Sequence, residues 1–305
     1  MALVRRVALI AVAALLVAAL ALTALIAVRV DWVPLEVRGL VGGDVVYAFV
    51  GADSGIERHP DDVQFDPDGD SARADVIILV RLGADGTTNA VSLPRDAIAV
   101  GRGQPMRYAL TLLDGPQSLV DAVCAGTGIS IDRFVSVDGG SFVAAIDALG
   151  GLDVEIPVEM RDPAADLLIT ETGAQTIDGA TALALVRSRH AEHLKDGAWV
   201  ARSDEAGTAD RMSWSATVLD GVRAKLASAP PWSFASAAWA ASADLVVGGG
   251  LHPGELRQLA SKPLVIETLP TDILAEGSLG RALGDEGRKV IVDAGFATDC
   301  TIASP

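Results

Sequence analysis

An uncharged apolar run of 22 residues, Val7–Val28, constrains this chain more than any other feature. As a helix it is long enough to cross about 30 Å of hydrocarbon at roughly 1.5 Å per residue. Arg5 and Arg6 precede it and no acid does. Flanking positive charge keeps that end in the cytoplasm, so everything after about Arg29 is expected outside. A cleaved signal peptide fits less well: its apolar core is usually about 7–15 residues, and Ala27-Val28-Arg29 is a poor small-x-small site. The expected organisation is a cytoplasmic tail (1–6), a transmembrane anchor (7–28), a membrane-proximal connector (29–43) and an extracytoplasmic domain (44–305). The protein is thus read as single-pass in the cell membrane.

The outer part is strongly acidic. The whole chain has 24 Lys and Arg against 40 Asp and Glu, for a net charge of -16. That field argues against nucleic acid or an anionic membrane surface as a partner. Yet arginines recur in tight groups: Arg73-Ala74-Asp75, Arg95-Asp96 and Arg187-Ser188-Arg189. An acidic protein that binds an anion has to concentrate its positive charge locally. The two cysteines, Cys124 and Cys300, lie outside the membrane in this reading and are expected to form a disulfide.

Periodicity gives an α/β fold: a central mixed or antiparallel sheet with helices on both faces, after the N-terminal transmembrane helix. Val45–Val50, Asp75–Leu82 and Thr88–Leu93 read as strands from their β-branched content. Ser54 to Ala72 is polar and reads as a loop. Asp85-Gly86 fits a two-residue hairpin turn. A helix is expected from Arg107 to about Cys124, a strand over Arg133–Asp138 and a helix over Ser141–Leu149 stopped by Gly150-Gly151. A strand over Leu152–Ile156 and a helix capped by Asp178 follow. His190–Ala206 has no clear period, and Asp210–Leu226 reads as an amphipathic helix. Beyond Pro230-Pro231 two helices and a strand, Val265–Leu269, are expected.

If the first three strands form an antiparallel meander, the end of one lies beside the start of the next. Asp53, then Arg73 and Asp75, then Arg95 and Asp96 meet at one sheet edge. Two carboxylates flanked by arginines suit a magnesium ion on a pyrophosphate, with Mn²⁺ as a substitute. Mg²⁺ takes hard oxygen ligands, often one or two carboxylates plus phosphate oxygens, and arginines pair with the remaining phosphate oxygens. The bland alternative is a set of surface ion pairs. Arg187 and Arg189 end a helix, where cations also complement the dipole. Arg211 is expected to open the next helix, where it would oppose the dipole and is better explained by a bound anion. His190 and His193 have no third ligand nearby and read as solvated loop histidines rather than a zinc site. Trp199, Trp214 and Trp232 read mainly as packing residues.

These residues, in this order behind one anchor, resemble the LytR-CpsA-Psr family of bacterial cell-wall assembly proteins. The matching stretches are Phe49–Ser54, Arg73–Val80, Val91–Asp96, Gly115–Val123, Ile129–Asp138, Phe142–Val154, Ile177–His190 and Asp210-Arg211. The resemblance implies a phosphotransferase that moves a glycan polymer from a polyprenyl-pyrophosphate carrier onto peptidoglycan through a phosphodiester. It implies metal binding by Asp53 and Asp75, pyrophosphate binding by Arg73, Arg95, Arg187, Arg189 and Arg211, and a catalytic set of Asp75, Arg95 and Asp96. It also implies an apolar tunnel for the prenyl tail between sheet and helices. Two departures stand out. Met106-Arg107-Tyr108 replaces the family's Lys-x-Asn, and Trp214-Ser215-Ala216 replaces an Arg and a Gln pair. Arg58 or Arg107 is a candidate for the missing charge. The alternatives are a non-catalytic polyprenyl-pyrophosphate-binding scaffold and a magnesium-dependent lipid pyrophosphatase.

Overall fold

A computed structural model describes residues 21–37, 43–53, 72–101, 104–188, 190–261, 264–274 and 280–300. Most of the apolar run lies outside them. Residues 21–29 are helical, α1, and among the described residues no helix is long and apolar enough to cross a membrane. Next come β1 (Asp31–Val33), β2 (Val45–Asp53), β3 (Arg73–Leu82), β4 (Thr88–Ser92), the hairpin of β5 (Ile98–Gly101) and β6 (Gln104–Arg107), α2 (Tyr108–Thr111) and α3 (Pro116–Thr127). The middle holds β7 (Arg133–Asp138), α4 (Gly139–Ala148), β8 (Leu152–Ile156), β9 (Met160–Asp162), β10 (Leu167–Ile169), β11 (Gly173–Ile177), α5 (Gly179–Arg187), β12 (Glu192–Lys195), β13 (Ala198–Ala201) and α6 (Asp204–Ser228). The last part holds α7 (Pro231–Ala241), β14 (Val246–Gly248), α8 (Pro253–Ser261), β15 (Ile266–Thr268), β16 (Thr271–Ile273), β17 (Arg281–Leu283) and α9 (Asp285–Asp293).

Seven strands make the central sheet, in the order β1-β14-β7-β2-β3-β4-β15. β2, β3 and β4 are the antiparallel meander read from the sequence. The sheet is mixed because β7 runs parallel to β2, β15 to β4 and β1 to β14. The segment read as a connector therefore contributes a strand of its own, β1. Side chains alternate across β2. Val46, Ala48 and Val50 join Ile77, Leu79, Leu119, Val123 and Ile291 on one face, while Tyr47 joins Val80, Leu82, Leu251 and Leu259 on the other. Each fully buried Ile or Leu in these layers contributes about 2 kcal/mol. A third apolar cluster, around Ile146, Leu152, Ile156, Leu185 and Val218, lies among α4, α5, α6 and β8.

Local chemistry explains where the elements differ from expectation. The β3–β4 link is a three-residue loop, not two: Gly83 N donates to Thr87 O, and Gly86 takes φ 81°. A type I turn closed by a left-handed glycine needs that extra residue. The helix expected from Arg107 breaks at Gly115 (φ 92°), where Pro116 starts α3; proline suits a first helical turn because that N–H has no partner anyway. The segment without a period folds as the β12–β13 hairpin, whose residues are exposed or half-buried, so no alternation marks it. Among the described residues, the 230–305 region carries three helices rather than two. Cys124 and Cys300 form the expected disulfide, with Cα atoms 5.5 Å apart and a sequence separation of 176.

Candidate functional site

The β2–β3 pairing slips by one residue where the polar residues begin. Gly51 pairs with Val76, but Ala52 pairs with Ala74 and Asp53 with Arg73, so Asp75 is the extra residue of a β-bulge. A bulge reverses the face to which the following side chains belong. Ala74 thereby shares the main core with Ile77, three residues away, and Ala52 packs against the same core. Asp53 and Arg73 are directly opposed on the other face, and Asp75 is turned out of the core beside them. An unbroken ladder would have put Ala74 and Ile77 on opposite faces.

The residues after β4 close over this edge. Pro94 ends the strand, and the Arg95 carbonyl accepts from Ala109 N at 2.9 Å. Arg95 Nη1 donates to Asp75 Oδ1, and its Nε lies 3.7 Å from Asp96 Oδ2. Arg107, at the end of β6, brings Nη1 to 3.9 Å from Asp96 Oδ1. The sequence departure at Met106-Arg107-Tyr108 thus places a cation at this cluster. Arg58 lies outside the described residues.

Arg187 reaches the same end of the sheet by helix packing. α5 runs against α4: Gly179 sits so close to Val143 that a Cβ there would clash with the Val143 backbone, and Leu183 lies over Gly139. Arg187, one turn beyond Leu183, is carried about 6 Å past the start of α4. That start is Asp138, the N-cap, which pairs with Ala52 next to Asp53. Arg187 is exposed at the C-terminus of α5. Arg189 lies outside the described residues, as does the side chain of Arg211. Arg211 does not open its helix: α6 begins at Asp204, so Arg211 sits about two turns in. The dipole reason for expecting an anion there does not hold.

Sequence reasoning missed Asp162. It is 1% exposed. Its Oδ2 accepts from Ser188 Oγ at 2.8 Å and from His190 N at 2.9 Å, and its Oδ1 from Ala164 N at 3.1 Å. One buried carboxylate therefore fixes the backbone and side chain just after Arg187, at Ser188 and His190. The only sequence signal was Asp162-Pro163, which marks a local turn and says nothing of a segment 26 residues on. Asp210 is similarly held, by two bonds from Arg202 at 2.7 and 3.1 Å.

The donors suit a hard cation only in part. Asp53 and Asp75 offer carboxylate oxygens at one edge, but among the described residues no group of three His, Cys, Asp or Glu could hold a metal. That matches Mg²⁺, which commonly takes one or two carboxylates and completes its shell with phosphate oxygens and water. His193 faces Asp210 at 3.8 Å, and burial, with Arg202 nearby, pushes its pKa down.

Residues 36–205 match the model of the LytR_cpsA_psr family. The chain belongs to that family. Over 167 residues it is 32% identical to a Corynebacterium glutamicum protein named "Probable cell wall biosynthesis protein LcpB", covering 53% of this chain and 40% of that one. Over 129 residues it is 33% identical to the polyisoprenyl-teichoic acid–peptidoglycan teichoic acid transferase TagU of Bacillus subtilis, covering 40% of each. The chain spans less than half the length of these curated relatives. Among solved structures, a LytR-Csp2A-Psr enzyme from Actinomyces oris is similar with TM-score 0.70 and 30% identity, over 89% of this chain and 98% of that one. Bacillus subtilis TagU has TM-score 0.57 at 18% identity, over 86% and 99%, and shows the shared fold. The family match ends before Arg211 and α7, so both lie outside it.

Proposed function

We propose that this protein transfers a glycan polymer from a polyprenyl-pyrophosphate carrier to a hydroxyl of peptidoglycan, at the outer face of the membrane that Val7–Val28 spans. The observation that carries this is the bulged edge. It sets Asp53, Arg73 and Asp75 on one face beside Arg95, in an otherwise acidic protein. The named activity of TagU supports the reaction class.

Arg73, Arg95 and Arg187 bind the phosphates and hold the reacting phosphorus in place, with Arg189 and Arg211 expected to add to them. The acceptor hydroxyl oxygen attacks the glycan-proximal phosphorus. A new O–P bond forms, the bridging P–O bond breaks, and polyprenyl phosphate leaves. The hydroxyl proton passes to a carboxylate, Asp75 or Asp96. Asp53 and Asp75 would hold Mg²⁺, or Mn²⁺, which supplies charge neutralisation at the pyrophosphate. Fixed cations aimed at charge that develops in the transition state account for most of such catalysis. The partly buried Phe142, Val158, Val186 and Trp214 beside the third cluster offer an apolar wall for the prenyl tail.

The test is release of polyprenyl phosphate by the full chain in detergent, with a prenyl-pyrophosphate-linked glycan, an acceptor glycan and Mg²⁺. Release that requires the acceptor and is abolished by EDTA is expected. Tight binding without turnover would instead make the protein a scaffold and implicate Trp214, which packs against apolar residues where the family resemblance implies polar ones. Release without acceptor would make it a pyrophosphatase.

A further inference from the structure

The register of the central sheet fixes which end faces the anchor. Asp31 pairs with Val246, Val246 with Ser136, and Ser136 with Val50, so these four residues form one row across β1, β14, β7 and β2. β1 runs opposite to β2. The chain before Asp31 therefore leaves the sheet at the end toward which β2 runs, and that end carries Asp53. Three strand spacings, about 14 Å, separate β1 from β2 along the row. Only Val30 lies between α1 and β1, so the domain hangs from its anchor without a loose linker.

α7 enters the sheet from that same end, through β14. Ser141 Oγ at the start of α4 binds Asp244 Oδ2 after α7, at 2.8 Å. The last turn of α1 is fastened to α7: the Arg29 guanidinium stacks 4.2 Å from the Trp239 ring centre, and its Nε donates to Ser242 Oγ at 3.2 Å. Trp32 Nε1 donates to the Ala27 carbonyl at 2.8 Å, capping α1. α7 turns Ala237 inward as it packs on α4. Trp232, Ser236 and Trp239 follow at i, i+4 and i+7, one stripe on the outer side. Trp232 is 73% exposed and Trp239 38%. A tryptophan that open to water, on a helix clamped to the end of an apolar run, is placed as interfacial tryptophans are: ring among acyl carbons, N–H toward headgroups.

We infer that α7 lies in the lipid–water interface, with Trp232 and Trp239 seated in the bilayer surface, so that α1 and α7 together hold the Asp53–Arg95 edge toward the outer leaflet. This rests on the reading of Val7–Val28 as an anchor. The occupant is lipid held by aromatic insertion; the acidic charge of the protein disfavours attraction to anionic headgroups.

The test uses the full chain in phosphatidylcholine vesicles with or without brominated acyl chains. The chain has five tryptophans and none before Trp32, so the anchor itself is silent. Flotation with the vesicles after an alkaline wash reports the anchor; bromine quenching reports the docking. Quenching is expected in the unmodified protein. Trp232→Phe should lower the quenchable signal by about half, one of the two interfacial tryptophans. Trp199→Phe, on β13, should leave it unchanged. A chain that does not float overturns the anchor and the docking together. A chain that floats, with quenching indifferent to Trp232→Phe, overturns the docking alone. If that indifference came with two chains per nanodisc, the stripe would belong to a second copy.

Discussion

At one end of the central sheet Asp53, Arg73, Asp75, Arg95 and Asp96 crowd together. At the other end Asp44 pairs with Arg81 and Glu255 with Arg133. A count of aspartates and arginines would not tell the two apart. At the far end the pairs are short and close on each other. Arg133 reaches Glu255 through Nε and Nη2 at 3.2 and 3.1 Å, and the buried Tyr47 hydroxyl donates to the same carboxylate at 2.6 Å. Burial opposes ionisation of Glu255, but the bonds from Tyr47 and Arg133 outweigh it and hold its pKa below the usual value. At the bulged end Arg95 also closes on Asp75, but the pairs to Asp96 are longer, 3.7 and 3.9 Å, and Asp96 and Arg107 are about half exposed. Charges that lock a helix to a sheet satisfy one another. Charges proposed to meet an anion are held near each other and left reachable.

The largest effect should come from exchanging these roles. Asp75→Asn is expected to lower the transfer rate about 1000-fold, in the range seen when one transition-state-stabilising group is lost, while leaving the denaturation midpoint nearly unchanged. Glu255→Gln should do the reverse. It leaves the Arg133 guanidinium short of its counter-charge and should cost about 3 kcal/mol of stability, with a rate within about twofold of the unmodified protein. Denaturant unfolding and single-turnover transfer on the same two variants check this. Equal loss of rate in both would abolish the distinction between the ends.

The disulfide belongs to the far end as well. Cys124 precedes Gly128, whose carbonyl accepts from Cys300 N at 2.9 Å, and the chain then runs through Asp132 into β7. A bridge across 176 residues of sequence restricts the unfolded chain, an effect worth up to about 5 kcal/mol and usually less. Cys300→Ser should lower the unfolding free energy by about 3 kcal/mol and leave the rate per folded molecule unchanged. A fall in that rate in step with stability would mean the far end communicates with the bulged one.

Much of this contrast was legible beforehand. The apolar alternation of β2, β3 and β4 and the order of their charged ends brought Asp53, Asp75 and Arg95 to one edge. Asp178 announced its helix because an N-cap acts within three residues. What stayed hidden depended on distant partners or on residues that bury nothing. The bulge at Asp75 is one extra residue in an unbroken apolar strand, and only the opposing ladder reveals it. β1 owes its existence to β14, more than two hundred residues away, so it read as a connector. The start of α6, Asp204-Glu205-Ala206-Gly207, has no apolar period, which delayed the expected helix to Asp210 and gave Arg211 the wrong place on it.

Asp162 offers the smallest and sharpest test, because it satisfies neighbours as Glu255 does yet serves the bulged end. In Asp162→Asn one carboxylate oxygen becomes an amide that donates. It can no longer accept from Ala164 N on one side and from both the Ser188 hydroxyl and the His190 N–H on the other, so the turn bearing Arg187 is held less firmly. The expected result is about tenfold weaker binding of a prenyl pyrophosphate by calorimetry, close to 1.4 kcal/mol, with kcat changed by less than about twofold. Ser188→Ala should reproduce part of the loss, and the double variant should be less than additive if both act through one contact. A drop in kcat instead of affinity would place this turn nearer the reacting phosphorus than the sheet edge is, and the roles of the two arginine groups would have to be exchanged.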